Sequence, residues 1–411
     1  MDLTEQLADA RARTLLLASD LDDAQWLGPR LPIVNPLRWE LGHVAWFQEW
    51  WTLRRALGRA PLLPDGDALY DSSRVVHGTR WDLPLPDRRA TLDFMAETHA
   101  RSQAALRDGA DPYFHRLALF HEDMHGEAFT YTRQTLGYRA PGLVVAGTPV
   151  AGALPGDVEV AGGDYWLGAT PDEPFVFDNE KWAHRVRVEP FAIARVPVTN
   201  ERLAEFVAAG GYARRELWSD EGWAWRSKAG AAHPVYWQPR GSAFEVRAYD
   251  RTIPLAPHQP AIHVCWFEAE AYCRWAKRRL PSEAEWELAA STKDKRRFPW
   301  GDDAPSTPPA NLDGRLGGPV DVAAFPEGDS AFGCRQMIGN VWEWTTSDFA
   351  PYEGFVLDPY AEYSAPWFAS PHKVLRGGCW ATRARLLRNT WRNFYPPHRR
   401  DVLAGFRTCA L

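Results

Sequence analysis

The sequence predicts an α+β protein of two domains, a four-helix bundle followed by a domain of short strands. Three observations predict it. Residues 1–140 contain four stretches with apolar side chains near helical spacing. Residues 141–157, "PGLVVAGTPVAGALPGD", concentrate Gly, Ala and Pro and read as a linker. From residue 158 to 411, short strand-like runs alternate with turns rich in Gly, Pro, Asp and Asn.

The first helix is expected in "MDLTEQLADARARTLLLASDL". The second is expected in "NPLRWELGHVAWFQEWWTLRRAL", with Asn35 as N-cap and Pro36 at the first helical position. "DRRATLDFMAETHARSQAALRDG" is the third, and "PYFHRLALFHEDMHGEAFTYTRQTLGY" the fourth, ended by Gly137. Residues 66–88 form a long polar loop, a length often reserved for function. In the second domain the main helical candidates are "NERLAEFVAAGGY" and "CWFEAEAYCRWAKRRLPSEAEWELAAS".

Composition narrows the function. Net charge is −6 with both signs interspersed, so no basic surface for nucleic acid is implied. No run approaches the ~18–20 apolar residues of a membrane span. The start lacks the basic and apolar regions of a secretory signal. Five cysteines without a CxxC pair give neither a disulfide framework nor a zinc ribbon. The expectation is a cytoplasmic, reduced protein acting on small molecules. Tryptophan is the outlier, with 21 residues. Most must pack, and a few are available to line a site for a cationic or sugar-like ligand.

The segment "FHEDMHGE" places His121 and His125 four residues apart, one turn apart on one helix face. Two such imidazoles can meet one metal ion, or simply pack as hydrogen-bonded histidines. His43, in "WELGHVAWF", supplies a third histidine on an apolar stretch of a second helix. Three neutral imidazoles leave an ion its full charge and open positions, a catalytic arrangement. The ligand type suits Fe, Zn, Cu or Ni. Glu127 lies about 200° round the helix from His125 and is expected to be an outer or structural acid, not a ligand.

HxxxHxE in the last helix of an N-terminal bundle, with an earlier His before an aromatic pair, resembles the sulfoxide synthases of ergothioneine and ovothiol biosynthesis. "GGDYWLGATPDE", "PVTNERLAEFVAAGGY", "RLPSEAEWELAA", "FPWGDD", "GNVWEWTTSDF", "VLRGGCW" and "GFRTC" resemble the formylglycine-generating-enzyme fold. The resemblance implies a DinB-like bundle and a domain of C-type-lectin-like topology. It implies Fe(II) held by His43, His121 and His125, and O2-dependent attachment of sulfur or selenium to the imidazole of a histidine derivative. It implies a catalytic tyrosine ahead of the "VLRGG" strand and a second three residues later, here Tyr360 and Tyr363. It implies that the "RN"-aromatic block, here Asn393 and Phe394, helps hold the histidine betaine. A phenol near a metal can supply a proton to reduced oxygen, and aromatic faces suit a trimethylammonium group.

The departures are informative. Formylglycine-generating enzymes carry two copper-binding cysteines after this strand; here Thr382 and Leu387 stand there, and Cys379 is expected only to pack. Met124 replaces a glutamine often found before the second helical histidine, and Tyr395 replaces an acid that meets the ammonium of glutamylcysteine. Those changes, with "LPIVNPLRWELGHVAWFQEWW" and "ALYDSSRV", resemble the selenoneine-forming branch, which joins hercynine to a selenosugar. A sugar donor needs hydroxyl partners and an aromatic platform, and the loop offers Asp71, Ser72, Ser73, Arg74, Arg80 and Trp81. Three readings compete: an oxidative C–Se or C–S synthase, a metal-dependent thiol transferase on the bundle, and a non-catalytic lectin-like binder.

Overall fold

A computed structural model describes residues 1–143, 145–241 and 243–411 of the 411-residue chain. Two compact units, Met1–Leu143 and Val144–Leu411, divide it.

In the first unit, helix α1 (Leu3–Ala18) begins with a capping box, Asp2 and Glu5 each bonding the other's backbone N–H. Short α2 (Asp23–Leu27) follows, then α3 (Leu37–Glu49), continued by a π-helical turn over Trp50–Arg55. Asn35 does not cap α3. Pro36 holds the cap position without a side-chain bond, and Asn35 Oδ1 instead accepts from Arg80 Nη1 at 2.6 Å. The stretch 66–88 is not plain loop: α4 (Gly66–Tyr70) and a 3₁₀ turn at His77–Thr79 lie within it. α5 (Arg88–Arg107) and α6 (Pro112–Leu136) complete the unit, α6 ending on Gly137 in the left-handed conformation. α1 packs on α6, and α3 packs on both α5 and α6. Leu17, Trp26, Leu37, Leu41, Met95 and Phe129 form the shared core. No described helix is long and apolar enough to cross a membrane.

The run 141–157 has no regular structure among its described residues until β1 (Asp157–Val160) begins. β2 (Gly163–Leu167) and β3 (His184–Val188) pair as an antiparallel hairpin. β4 (Phe191–Ala194) leads to α7 (Asn200–Ala208) and α8 (Asp220–Ala229). The sequence gives no apolar stripe to α8, which buries only Gly222, so the helix was not expected. β5 (Trp237–Arg240), β6 (Ala243–Ala248) and β7 (Arg251–Pro254) form a meander. α9 (Trp266–Ala276), β8 (Arg278–Arg279) and α10 (Glu283–Ser291) follow. Then come β9 (Trp342–Asp348), β10 (Lys373–Arg376), β11 (Asn393–Tyr395), β12 (Ala404–Gly405) and β13 (Cys409–Ala410). Two four-stranded sheets result, ordered β1-β4-β13-β8 and β11-β10-β9-β12.

α10 packs on β2, β9 and β10. Its "SEAEWE" sequence puts Glu283 and Glu287 one turn apart and both inside. Glu283 accepts from Arg376 at 2.8 Å and Arg392 at 2.7 Å; Glu287 accepts from Lys295 at 2.5 Å, Arg376 at 2.5 Å and the Tyr165 hydroxyl at 2.9 Å. Glu343 likewise accepts from Arg407 at 2.7 Å and from the Trp286 indole at 2.8 Å. The charges of this motif therefore neutralise one another inside the core.

Candidate metal centre

α3 and α6 bring three imidazoles together. Candidate ligand atoms of His43, His121 and His125 all lie within 4.8 Å of one another. His43 and His121 are buried, and His125 is half-buried. His43 Nε2 and His125 Nε2 each lie 3.2 Å from His121 Nε2.

The outward nitrogens fix the protonation pattern. His43 Nδ1 is 2.7 Å from the Tyr70 carbonyl, which can only accept, so Nδ1 carries the hydrogen. His125 Nδ1 is 2.7 Å from Glu40 Oε1, a carboxylate, and donates in the same way. Burial first, and the neighbouring His125 second, hold His43 and His121 well below the ordinary imidazole range, so both are neutral. Neutral His43 then presents a bare Nε2 lone pair to His121, and His125 turns its Nε2 to the same point while its Nδ1 faces Glu40. His121 Nδ1 is buried without a hydrogen-bond partner among the described residues. A cation bound to all three resolves this arrangement, and the donor set fits a metal with open positions.

The surroundings hold the rings. Trp39 stacks on His43 at 4.8 Å between centroids, and Phe47 on His121 at 3.6 Å. Gly42 is required here: a Cβ would sit 2.2 Å from the Tyr70 ring, so only glycine lets Tyr70 reach His43. Sequence reasoning missed Glu40. Glu40 precedes His43 by three residues on α3, but the histidine it bonds, His125, lies on α6, so spacing along one helix did not point to it. Glu127, the acid expected near the site, is buried on α6, but the carboxylate bonded to His125 is Glu40.

Of the loop residues named as donor contacts, Asp71, Ser73 and Arg74 lie together, while Arg80 and Trp81 are turned to other partners. Asp71 accepts from the Ser73 N–H at 3.0 Å and hydroxyl at 2.6 Å and pairs with Arg74 at 3.1 Å, so these three form one turn with Ser73 and Arg74 exposed. Arg80 is buried, its guanidinium 3.7 Å from the Trp39 ring centroid, and burial lowers its pKa to about 10. The Trp81 indole donates to the Gly28 carbonyl at 3.1 Å. Met124 is half-buried on α6 between the histidines.

Two family models match the chain, the DinB superfamily over residues 6–135 and the Sulfatase-modifying factor enzyme 1-like domain over residues 144–410. Hercynine oxygenase of Mycolicibacterium thermoresistibile is 40% identical over 428 residues, covering 99% of this chain and 94% of that protein. Hercynine oxygenase of Mycobacterium tuberculosis is 40% identical over 419 residues, covering 98% and 96%. This chain belongs to the hercynine oxygenase family.

A hercynine oxygenase relative of this kind is an oxidoreductase, and the second unit is shared more widely. The formylglycine-generating enzyme of Streptomyces coelicolor is 31% identical over 281 residues, 58% of this chain and 84% of that protein. Thr382 and Leu387 are both buried, with the Thr382 hydroxyl 3.3 Å from Cys379 Sγ. The expected tyrosines and the "RN" block come together within the second unit. Tyr360 and Tyr363 lie 5.9 Å apart between ring centroids, and Tyr363 lies 4.3 Å from Phe177 and 6.1 Å from Phe394. Burial pushes the Tyr363 hydroxyl up, keeping it protonated. Phe394 stacks on Phe349 at 3.9 Å, and Asn393 Oδ1 accepts from the Phe394 N–H at 2.8 Å. Tyr395, on the same strand, lies under the Arg399 guanidinium, 5.3 Å from the ring centroid.

Proposed function

We propose that this protein uses O2 to join the imidazole of hercynine to the selenium of a selenosugar, giving a selenoxide-type precursor of selenoneine. The observation that carries the hercynine part is the convergent histidine triad in a chain 40% identical to hercynine oxygenases over nearly its whole length. His43, His121 and His125 are the proposed ligands of one Fe(II), which supplies the electron-transfer chemistry that O2 requires.

The chain's own groups do the rest. Tyr360 is the proposed proton donor, its phenol protonated at neutral pH. Tyr363, with its hydroxyl held protonated, supports the Tyr360 ring. Asn393, Phe394 and Tyr395 are proposed to hold hercynine, the aromatic faces meeting its trimethylammonium group. Asp71, Ser73 and Arg74 are proposed to meet the sugar hydroxyls, with Arg80 and Trp81 holding that segment in place.

Selenium rather than sulfur is favoured by Met124 and Tyr395, which remove two polar handles that an ergothioneine-type site could use. A selenolate also forms more readily at neutral pH than a thiolate, whose parent pKa is about 8.5. The second reading is an ergothioneine-type synthase using glutamylcysteine or cysteine, favoured by the even 40% identity to hercynine oxygenases. A competition decides: one enzyme sample with hercynine, O2 and equal selenosugar and glutamylcysteine, read by mass. The selenium adduct is expected to dominate; a mainly glutamylcysteine-derived sulfoxide overturns the donor assignment.

A further inference from the structure

Glu40 is 1% exposed, yet its carboxylate makes one hydrogen bond, to His125 Nδ1 at 2.7 Å. Its other oxygen, Oε2, is buried without a hydrogen-bond partner among the described residues. Glu40 forms no salt bridge to Lys or Arg among the described residues; it pairs with His125, and the buried Arg80 guanidinium, stacked on Trp39, feels its charge without bonding it. A buried carboxylate left so bare is costly unless positive charge lies close by. Elsewhere in the same bundle the cost is met directly: Glu122, equally buried, pairs with Arg11 at 2.8 Å.

The two oriented histidines are held by different acceptors. His43 donates to a neutral carbonyl, while His125 donates to an anion. The third, His121, has no acceptor at Nδ1 among the described residues and is held by stacking on Phe47. A carboxylate on the far nitrogen locks the tautomer and raises the basicity of the near nitrogen.

We infer that Glu40 is the positioning residue of the metal centre: it fixes His125 as an Nε2 ligand and supplies the negative charge that balances a cation held by three neutral imidazoles. This rests on the reading of the histidines as a metal set. It makes His125 the strongest and His121 the most adaptable of the three ligands.

The test is metal affinity of the full chain, stripped by chelator and titrated with Co(II) against a competing chromophoric chelator. Glu40→Ala should weaken binding by about 10–100-fold, the usual effect of losing such a partner. Glu40→Gln should fall between, because its amide oxygen still accepts from Nδ1 but carries no charge. Glu49→Gln, a buried acid on the same helix that bonds the Leu62 N–H, serves as control and should bind as the wild type does. If Glu40→Ala unfolds, the Glu40→Gln affinity alone decides. Wild-type affinity in Glu40→Gln and in any folded Glu40→Ala overturns the inference while leaving the histidine set intact. A wild-type chain that binds no Co(II) overturns the histidine reading itself, and the inference with it.

Discussion

The core of the second unit and the histidine cluster of the first bury charge and polarity in opposite ways. In the second, Glu283 and Glu287 face Arg376, Arg392 and Lys295, and Glu343 faces Arg407, so anions and cations close on one another. In the first, three histidines aim nitrogens at one another, and the buried Glu40 carboxylate stands behind them without a salt bridge to Lys or Arg among the described residues. A closed network serves the fold. The histidine cluster, whose nitrogens converge on one another, is the arrangement that the proposed metal would complete.

The comparison can be broken first at the open site. His43→Ala and His121→Ala are each expected to abolish stoichiometric metal binding and turnover while the far-ultraviolet circular dichroism stays that of the wild type; full metal content in either variant removes the three-ligand account.

Next comes the closed site. Glu283→Ala leaves Arg376 and Arg392 without one of their buried anions and should lower unfolding stability by about 3–5 kcal/mol in denaturant titration. Acid probes the same network. Burial alone would raise Glu287, but Lys295 and Arg376 hold it at about 2, below its ordinary 4.5. Its folded pKa is depressed, so its contribution is present above about pH 4.5 and lost as pH falls toward 2. A stability curve flat between those values would contradict the pairing.

Tyr360→Phe removes one hydroxyl and keeps the ring. Coupling should slow by about 10²–10⁴, or divert to another oxidation product, with metal content unchanged. Unchanged rate and product would return Tyr360 to packing.

The smallest of these effects is expected for Gly42→Ala. The new methyl meets the Tyr70 ring, and overpacking of this kind costs about 1–3 kcal/mol. Because the shift also withdraws the Tyr70 carbonyl from His43, metal affinity should fall along with melting temperature. A fall in melting temperature alone would uncouple the two.

The same contrast explains what the sequence made legible. Four long helices could be read because each carries a 3.6-residue apolar stripe, and Gly137 marks its helix end by the left-handed backbone it adopts. α8 could not, because its side chains lie mostly outside and leave no periodicity. The N-cap reading of Asn35 failed because a residue 45 positions away, Arg80, takes its side chain. His121 and His125 stand out through spacing on one helix, and His43 through its apolar setting. Glu40 did not stand out, because its meaning arises only when α3 meets α6. The buried acids of α10 are likewise uninformative alone; the arginines that Glu283 meets lie 93 and 109 residues further on, Arg376 on β10 and Arg392 just before β11.

The measurement that tests the central claim most directly is O2 consumption by the Fe(II)-loaded protein, followed with mass detection of hercynine products. The account predicts O2 uptake that requires iron, hercynine and a selenium or sulfur donor together, with a hercynine adduct of that donor as product. No hercynine-dependent uptake, with hercynine recovered intact across the whole donor panel, would contradict it.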